Sequence, residues 1–218
     1  MSQTDGAALF DRDTQLVGLG IRLAPSTDAD RTIGPMRGMR HTSALRYSHD
    51  DPDAIVVNSF SKYFSMTGWR LGWLLLPPRL LRAADRVAGN FTVCPPAPAQ
   101  RAALGAFAES SYAEADAHVG RYAVNRDLLL TGLPRIGIST LAPADGAFYV
   151  YAEVSHLSGD SMELTRRLLA DVGLAVAPGL DFDPVDGHRW IRFSCAGATE
   201  DVREALTRLE AWIGTVPR

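Results

Sequence analysis

The sequence predicts an α/β fold in two parts, and three observations carry that prediction. Two short apolar runs, Ala54 to Asn58 and Leu71 to Leu76, have the length of buried strands and are separated by a serine-rich turn. Amphipathic stretches of helical length follow them. From Ala147 onward strand-like and helix-like signals alternate, as in a small α/β lobe. At 218 residues and 46% hydrophobic content, the chain is long enough to bury such cores, and nothing in its composition suggests disorder or fibre.

Residues 1–40 carry scattered Gly, Pro, Asp and Arg, one short apolar stretch around Leu16 to Leu23 and no sustained periodicity, so they form an unassigned N-terminal segment. The Gly18-Leu19-Gly20 pair lacks the third glycine and the strand-turn-helix frame of a dinucleotide loop. After the two apolar runs, Pro77 and Pro78 stop the second strand, and Arg79 to Asn90 set Leu80, Leu81, Ala84 and Val87 on one helical face. Helical spacing resumes from Ala97 to about Ser110. A longer pattern, Tyr112 to Leu130, is placed to connect two lobes, with Gly132-Leu133-Pro134 expected to end it. A domain boundary is expected there, dividing the ordered sequence into 41–118 and 119–218. The second part then reads as strands Ala147 to Val154, Leu174 to Ala177 and Trp190 to Cys195, with helices Ser161 to Val172 and Thr199 to Ile213. Thr199 is the expected cap of the last helix, and Glu200 and Asp201 suit its first turn.

A formal net charge of −3 provides no basic field for a nucleic-acid backbone, so no nucleic-acid partner is expected. Cys94 and Cys195 are far apart and without ligand spacing, which argues against a disulfide framework or a zinc site; both are expected as buried thiols. The histidines at 41, 49, 118, 156 and 188 show no ligand spacing either. The N-terminus lacks a basic and then apolar leader, and no apolar run approaches membrane-spanning length; a cytoplasmic protein without membrane contact is expected.

Of the 22 basic residues counted as Lys plus Arg, a single one is lysine, and it is Lys62. It lies in Ser59-Phe-Ser-Lys62-Tyr-Phe-Ser-Met-Thr67-Gly-Trp-Arg70, which gathers one amine, several hydroxyls and one guanidinium between two apolar strands. An amine used as a nucleophile is favoured in its neutral form by apolar walls and a second cation, and Schiff-base formation is its common use. Phe60, Tyr63 and Phe64 offer walls, and Arg70 offers the cation. A phosphate wants hydroxyl donors and a planar bidentate cation, which Ser59 and Arg70 provide if the turn folds back on itself. Ser61, Ser65 and Thr67 read as turn hydroxyls. Ser59-x-x-Lys62 also satisfies the S-x-x-K pattern of serine acyl-enzymes, but their K-T-G element cannot occur in a chain with one lysine.

The run NSFSKYFSMTGWRLGW resembles the cofactor-lysine signature of class I/II aminotransferases, the fold-type I enzymes that use pyridoxal 5'-phosphate (PLP). Asn125-Arg-Asp-Leu-Leu-Leu, Gly146-Ala-Phe-Tyr149 and Trp190-Ile-Arg192-Phe-Ser-Cys-Ala follow in family order, so the similarity spans roughly His41 to Ile213. The resemblance implies that Lys62 forms the Schiff base with the cofactor and moves the proton in the 1,3-shift. It implies that Ser59 and Arg70 hold the cofactor phosphate and that Arg192 binds the substrate α-carboxylate. It further implies a partial PLP-transferase large domain, a mixed and mostly parallel sheet remnant, plus a small C-terminal α/β domain. Its substrates would be an amino acid and a 2-oxo acid. The half of the family that precedes the lysine has no counterpart here. The chain is therefore expected to be truncated, poorly soluble or in need of a partner. That partner would be a second copy in a homodimer when intact, or a chain supplying the missing N-terminal half. The alternative is a non-catalytic remnant that persists as a binding or dimerisation module.

Overall fold

The computed structural model describes residues 6–7, 9–10, 16–18 and 55–215. Within the unassigned segment it contains three short strands, β1 (Gly6–Ala7), β2 (Leu9–Phe10) and β3 (Leu16–Gly18), the last two paired antiparallel. Leu19 and Gly20 of the glycine pair, and the histidines at 41 and 49, lie outside the described residues. Two compact units divide the chain, one running to Ala117 and the other from His118.

In the first unit, β4 (Val56–Ser59) and β5 (Leu71–Leu75) form an antiparallel hairpin in the register Val56↔Leu75 to Ser59↔Gly72, and β1 adds to β5 in parallel. The sheet is thus mixed, with its parallel share carried by β1. Leu71, Gly72 and Trp73 of β5 are buried, whereas β4 is buried on one face only: Val56 is inside and Val57 is 74% exposed. Pro78 opens α1 (Pro78–Phe91), where its missing N–H is no loss and its fixed φ suits the first turn. This helix buries none of its residues. In α2 (Ala97–Ala106) the residues Ala99, Ala103 and Ala106 recur at helical spacing and pack on Phe60, Met66, Leu71 and Trp73.

The longest helix, α3 (Glu109–Arg135), contains the division between the units and runs through the Gly132-Leu133-Pro134 stretch expected to stop it. Two facts explain the difference. Leu133 is fully buried in the core of the second unit, and a Cβ at position 132 would stand 2.7 Å from Leu206 Cδ1, so Gly132 serves close helix packing rather than termination. The stop is Gly137, whose φ of 101° suits glycine, with Ile138 N–H donating back to the Leu133 carbonyl at 3.0 Å.

The second unit is a three-stranded antiparallel sheet in the order β6-β8-β7, from β6 (Tyr149–Glu153), β7 (Ala177–Pro178) and β8 (Trp190–Ser194). Val150, Ala152, Ile191 and Phe193 alternate into one face and meet Leu164 and Leu168 of α4 (Ser161–Val172) and Val202, Leu209 and Trp212 of α5 (Thr199–Ile213). Asp160 caps α4 by accepting from Met162 N–H at 2.8 Å and Glu163 N–H at 3.2 Å. Thr199 does not cap α5. Ala198 occupies that place, its carbonyl taking the first helical bond from Val202 N–H, and Thr199 is already helical.

Asn125, fully buried on α3, donates through Nδ2 to the carbonyls of Cys195 at 2.9 Å and Gly197 at 3.0 Å, tying the helix to the chain leaving β8. Cys195 is buried as expected, and burial pushes its thiol up to about 11, whereas Cys94 is exposed, contrary to expectation. No helix among the described residues is long and apolar enough to cross a membrane. Asn125→Ala removes both bonds and strands the carbonyl of buried Cys195, and is expected to lower stability by about 1–3 kcal/mol, measured by urea unfolding of the full chain.

Candidate functional site

Lys62 lies on the loop between β4 and β5, and the local sequence explains why that loop holds one shape. Phe60 N–H donates to the Leu71 carbonyl at 3.0 Å, which extends the strand ladder past Ser59 and closes the neck. Met66 N–H returns to the Phe60 carbonyl at 3.2 Å and Ser65 N–H to the Lys62 carbonyl at 3.0 Å. The Thr67 hydroxyl donates to the Ser61 carbonyl. Ser65 and Arg70 adopt φ of 56° and 54°, a left-handed backbone that a non-glycine residue adopts at a cost of about 1–3 kcal/mol. The loop thus bends at two strained points and is cross-linked between them.

Burial alternates along this loop. Phe60, Ser61, Tyr63 and Met66 are buried, and Lys62, Ser65 and Thr67 are exposed. Phe60 packs against Phe64 and Trp73 with ring centroids 5.0 Å apart in both pairs, and the Tyr63 hydroxyl donates to Asp116 Oδ1 on α3 at 2.6 Å. Phe60 and Tyr63 therefore anchor the loop in the core instead of walling the amine, and Lys62 stands on the exposed side between buried Ser61 and Tyr63.

Ser59 and Arg70 sit at the two sides of the neck. Ser59 Oγ accepts from Ser61 N–H at 3.0 Å and lies 2.8 Å from Ser61 Oγ and 3.4 Å from the Leu71 carbonyl, to either of which it can donate. Arg70 donates from Nη1 to the Thr67 carbonyl at 2.8 Å, which holds the guanidinium over the same loop. Gly72 makes the neck possible. A Cβ there would stand 2.6 Å from the Asn58 carbonyl oxygen on the paired strand. One hairpin thus carries the hydroxyl, the amine and the guanidinium picked out in the sequence.

Arg192 belongs to the second unit. It lies mid-strand in β8, opposite Tyr151, on the face away from the core. Its Cζ stands 4.0 Å from the ring centroid of Tyr149 and 4.0 Å from that of Phe182. Tyr149 and Trp190 are both on this half-exposed face. Trp190 stacks on Tyr151 at 5.0 Å and 11°. Burial, and secondarily the charge of Asp183, raises the Tyr151 phenol above its ordinary range. Strand alternation could have found Tyr149, since Val150 and Ala152 claim the core side. Phe182 comes from a loop and leaves no periodic signal. Among the described residues no group of three or more His, Cys, Asp or Glu could hold a metal.

A family model described as aminotransferase class I and II matches residues 34–209. A valine–pyruvate aminotransferase of Mycobacterium tuberculosis is 56% identical over 161 residues, covering 74% of this chain and 42% of that protein. An aspartate/prephenate aminotransferase of Thermus thermophilus is 37% identical over 162 residues, covering 73% of this chain and 41% of that protein. The crystal structure of an aminotransferase from Mycobacterium tuberculosis matches with a TM-score of 0.78 at 52% identity, covering 82% of this chain and 46% of that one. The chain spans less than half the length of these relatives.

The close approach at Gly72 yields a direct test of the neck. Gly72→Ala forces two paired backbones apart and is expected to cost about 1–3 kcal/mol, the usual range for overpacking, read from the fluorescence of the adjacent buried Trp73 during urea unfolding.

Proposed function

The chain belongs to the class I and II aminotransferase family, and from that premise we propose that in its intact form it moves an amino group between an amino acid and a 2-oxo acid, with PLP held at Lys62. The observation that carries this reading is the setting of the only lysine, exposed on a loop whose flanking residues are fixed in the core. The donor set fits the cofactor: an amine for its aldehyde, and the Ser59 hydroxyl and Arg70 guanidinium for its phosphate.

When bound, PLP supplies an electron-withdrawing ring that stabilises the negative charge left on a substrate carbon after its proton is removed. The work of the chain's own groups is to bind and to move protons. Ser59 and Arg70 anchor the phosphate dianion, and because both project from the neck of one hairpin, the anchor and the amine keep a fixed spacing along the loop. Lys62 Nζ would serve as the base that takes the proton from the substrate carbon and as the acid that gives it back. Arg192 pairs with the substrate carboxylate through its planar edge.

The 56% identity to a valine–pyruvate aminotransferase supports valine and pyruvate as the first substrates to assay. A protein partner, either a second copy or a chain supplying a counterpart to the part of the relatives that this chain does not match, belongs to the same proposal. Ile55, Val57, Phe91 and Val93, each more than half exposed, support it by offering apolar surface in the unit that carries Lys62.

The test is to mix purified full-length chain with PLP, reduce with borohydride and map the modified peptide by mass spectrometry. The expected result is stoichiometric pyridoxyl label on Lys62 and none in Lys62→Ala. Arg70→Ala is expected to weaken PLP binding tenfold or more, the loss of a charge-assisted hydrogen bond of about 1.5–3 kcal/mol. An unlabelled Lys62 would overturn the reading in favour of a non-catalytic remnant.

A further inference from the structure

The guanidinium is planar and delocalised, but on a half-exposed strand face the side-chain torsions that carry it, through Cδ–Nε, ordinarily leave that plane and its five N–H groups free to sample many directions, and rotation about the stiffer Nε–Cζ bond reports how firmly its neighbours hold it. Arg192 is in a different situation, with two aromatic rings 4.0 Å from its Cζ. One ring is Tyr149, carried by β6, whose neighbour Tyr151 is the cross-strand partner of Arg192. The other is Phe182, and its position has a separate structural cause. The segment between Gly179 and Gly187 closes on itself: a Cβ at Gly179 would lie 2.4 Å from the Gly187 carbonyl oxygen and 2.5 Å from the Tyr151 hydroxyl, and one at Gly187 would lie 2.4 Å from the Gly179 carbonyl oxygen. Phe182 N–H and Asp183 N–H both donate to the Gly179 carbonyl at 2.9 Å, and Asp183 Oδ1 accepts from Val185 N–H at 2.9 Å. Phe182 thus projects from a short closed loop tied at its base to the strand pair that carries Arg192.

Phe182 is 51% exposed, so it gains little from its own burial. Its contact with the cation is the feature that accounts for its place. We infer that Tyr149 and Phe182 are positioning residues that clamp the guanidinium of Arg192, occupying its faces and leaving its in-plane N–H edge to meet a planar carboxylate. Stacking fixes the plane, and the plane selects a ligand with two coplanar oxygens over one offering a single acceptor. The clamp stands on the second unit alone; its consequence for substrate binding rests on the function proposed above.

The experiment separates the two. Rotation about the Nε–Cζ bond of Arg192 is measured in the full-length chain from its guanidinium NMR signals, assigned by their loss in Arg192→Lys. Pyruvate is then titrated as the carboxylate probe and followed by the Arg192 Nε shift. In the native chain rotation is expected to be at least tenfold slower than for Arg203, a helix-surface arginine. Phe182→Leu keeps the apolar bulk and removes the aromatic face; it is expected to release most of that slowing and to weaken pyruvate binding about fivefold, and Phe182→Trp is expected to restore both. Rotation and pyruvate binding unchanged in Phe182→Leu would overturn the clamp, since a merely space-filling role predicts that result. If the Arg192 Nε shift of the native chain does not respond to pyruvate while the rotation pattern holds, the clamp stands and the carboxylate role of Arg192 in the proposed function falls.

Discussion

The fixed point of the first unit is Phe60. Its side chain is fully buried among Phe64, Trp73, Phe107 and the alanines of α2, and its backbone makes both the last rung of the β4–β5 ladder and the first cross-link of the loop. Magnitudes show why so many contacts meet there. Two left-handed non-glycine residues cost about 1–3 kcal/mol each, and burying one large apolar side chain contributes about 1.5–3 kcal/mol. A single anchor would fall short of offsetting both. Phe60, Met66, Leu71 and Trp73 buried together hold the strained loop with stability to spare. The small side chains of Ala99, Ala103 and Ala106 let α2 approach closely enough for that packing. The exposure of Lys62 is the counterpart of this arrangement, because its neighbours on both sides are committed to the interior.

Much of the fold was legible in the sequence wherever local signals and tertiary packing agreed. The helix Ser161–Val172 can be read to the residue because Asp160 caps it, Gly173 closes it in a left-handed turn and its apolar positions follow one face. The ends of α3 were less legible. Gly132-Leu133-Pro134 has the composition of a stop, yet the glycine is needed by Leu206 on a helix some seventy positions along, which no local window contains. Aromatic residues misled in a different way. Tyr149 and Trp190 look like core by hydrophobicity, but a strand has two faces, and Val150 and Ile191 take the buried one.

The same division applies to the candidate site. Ser59, Lys62 and Arg70 were visible because one hairpin loop carries all three, so their proximity in space follows from proximity in sequence. Their individual settings were not visible. Whether Phe60 faces the amine or the core depends on α2, and the structure resolves it toward the core. Arg192 was identified only through its motif, and its flanking Phe182 was unreadable because a closed loop presents side chains through its tertiary ties and not through any period.

The two units also differ in how they satisfy burial. The second encloses a continuous core, with the inner sheet face covered by α4 and α5 and the helices joined by the bond from Trp212 Nε1 to Asp171 Oδ2 at 2.9 Å. The first buries a compact cluster around Phe60 and leaves Val57 and Phe91 at 74% and 84% exposure. Such side chains on a strand and a helix are unfavourable in water unless something else covers them. The residues that matter nonetheless lie in the settled part of each unit. Lys62 and its neck are fixed by the Phe60 cluster, and Arg192 by its own strand and ring neighbours. The orientation of each group is thus determined within its own unit, and an account of amine chemistry at Lys62 does not depend on one of carboxylate binding at Arg192.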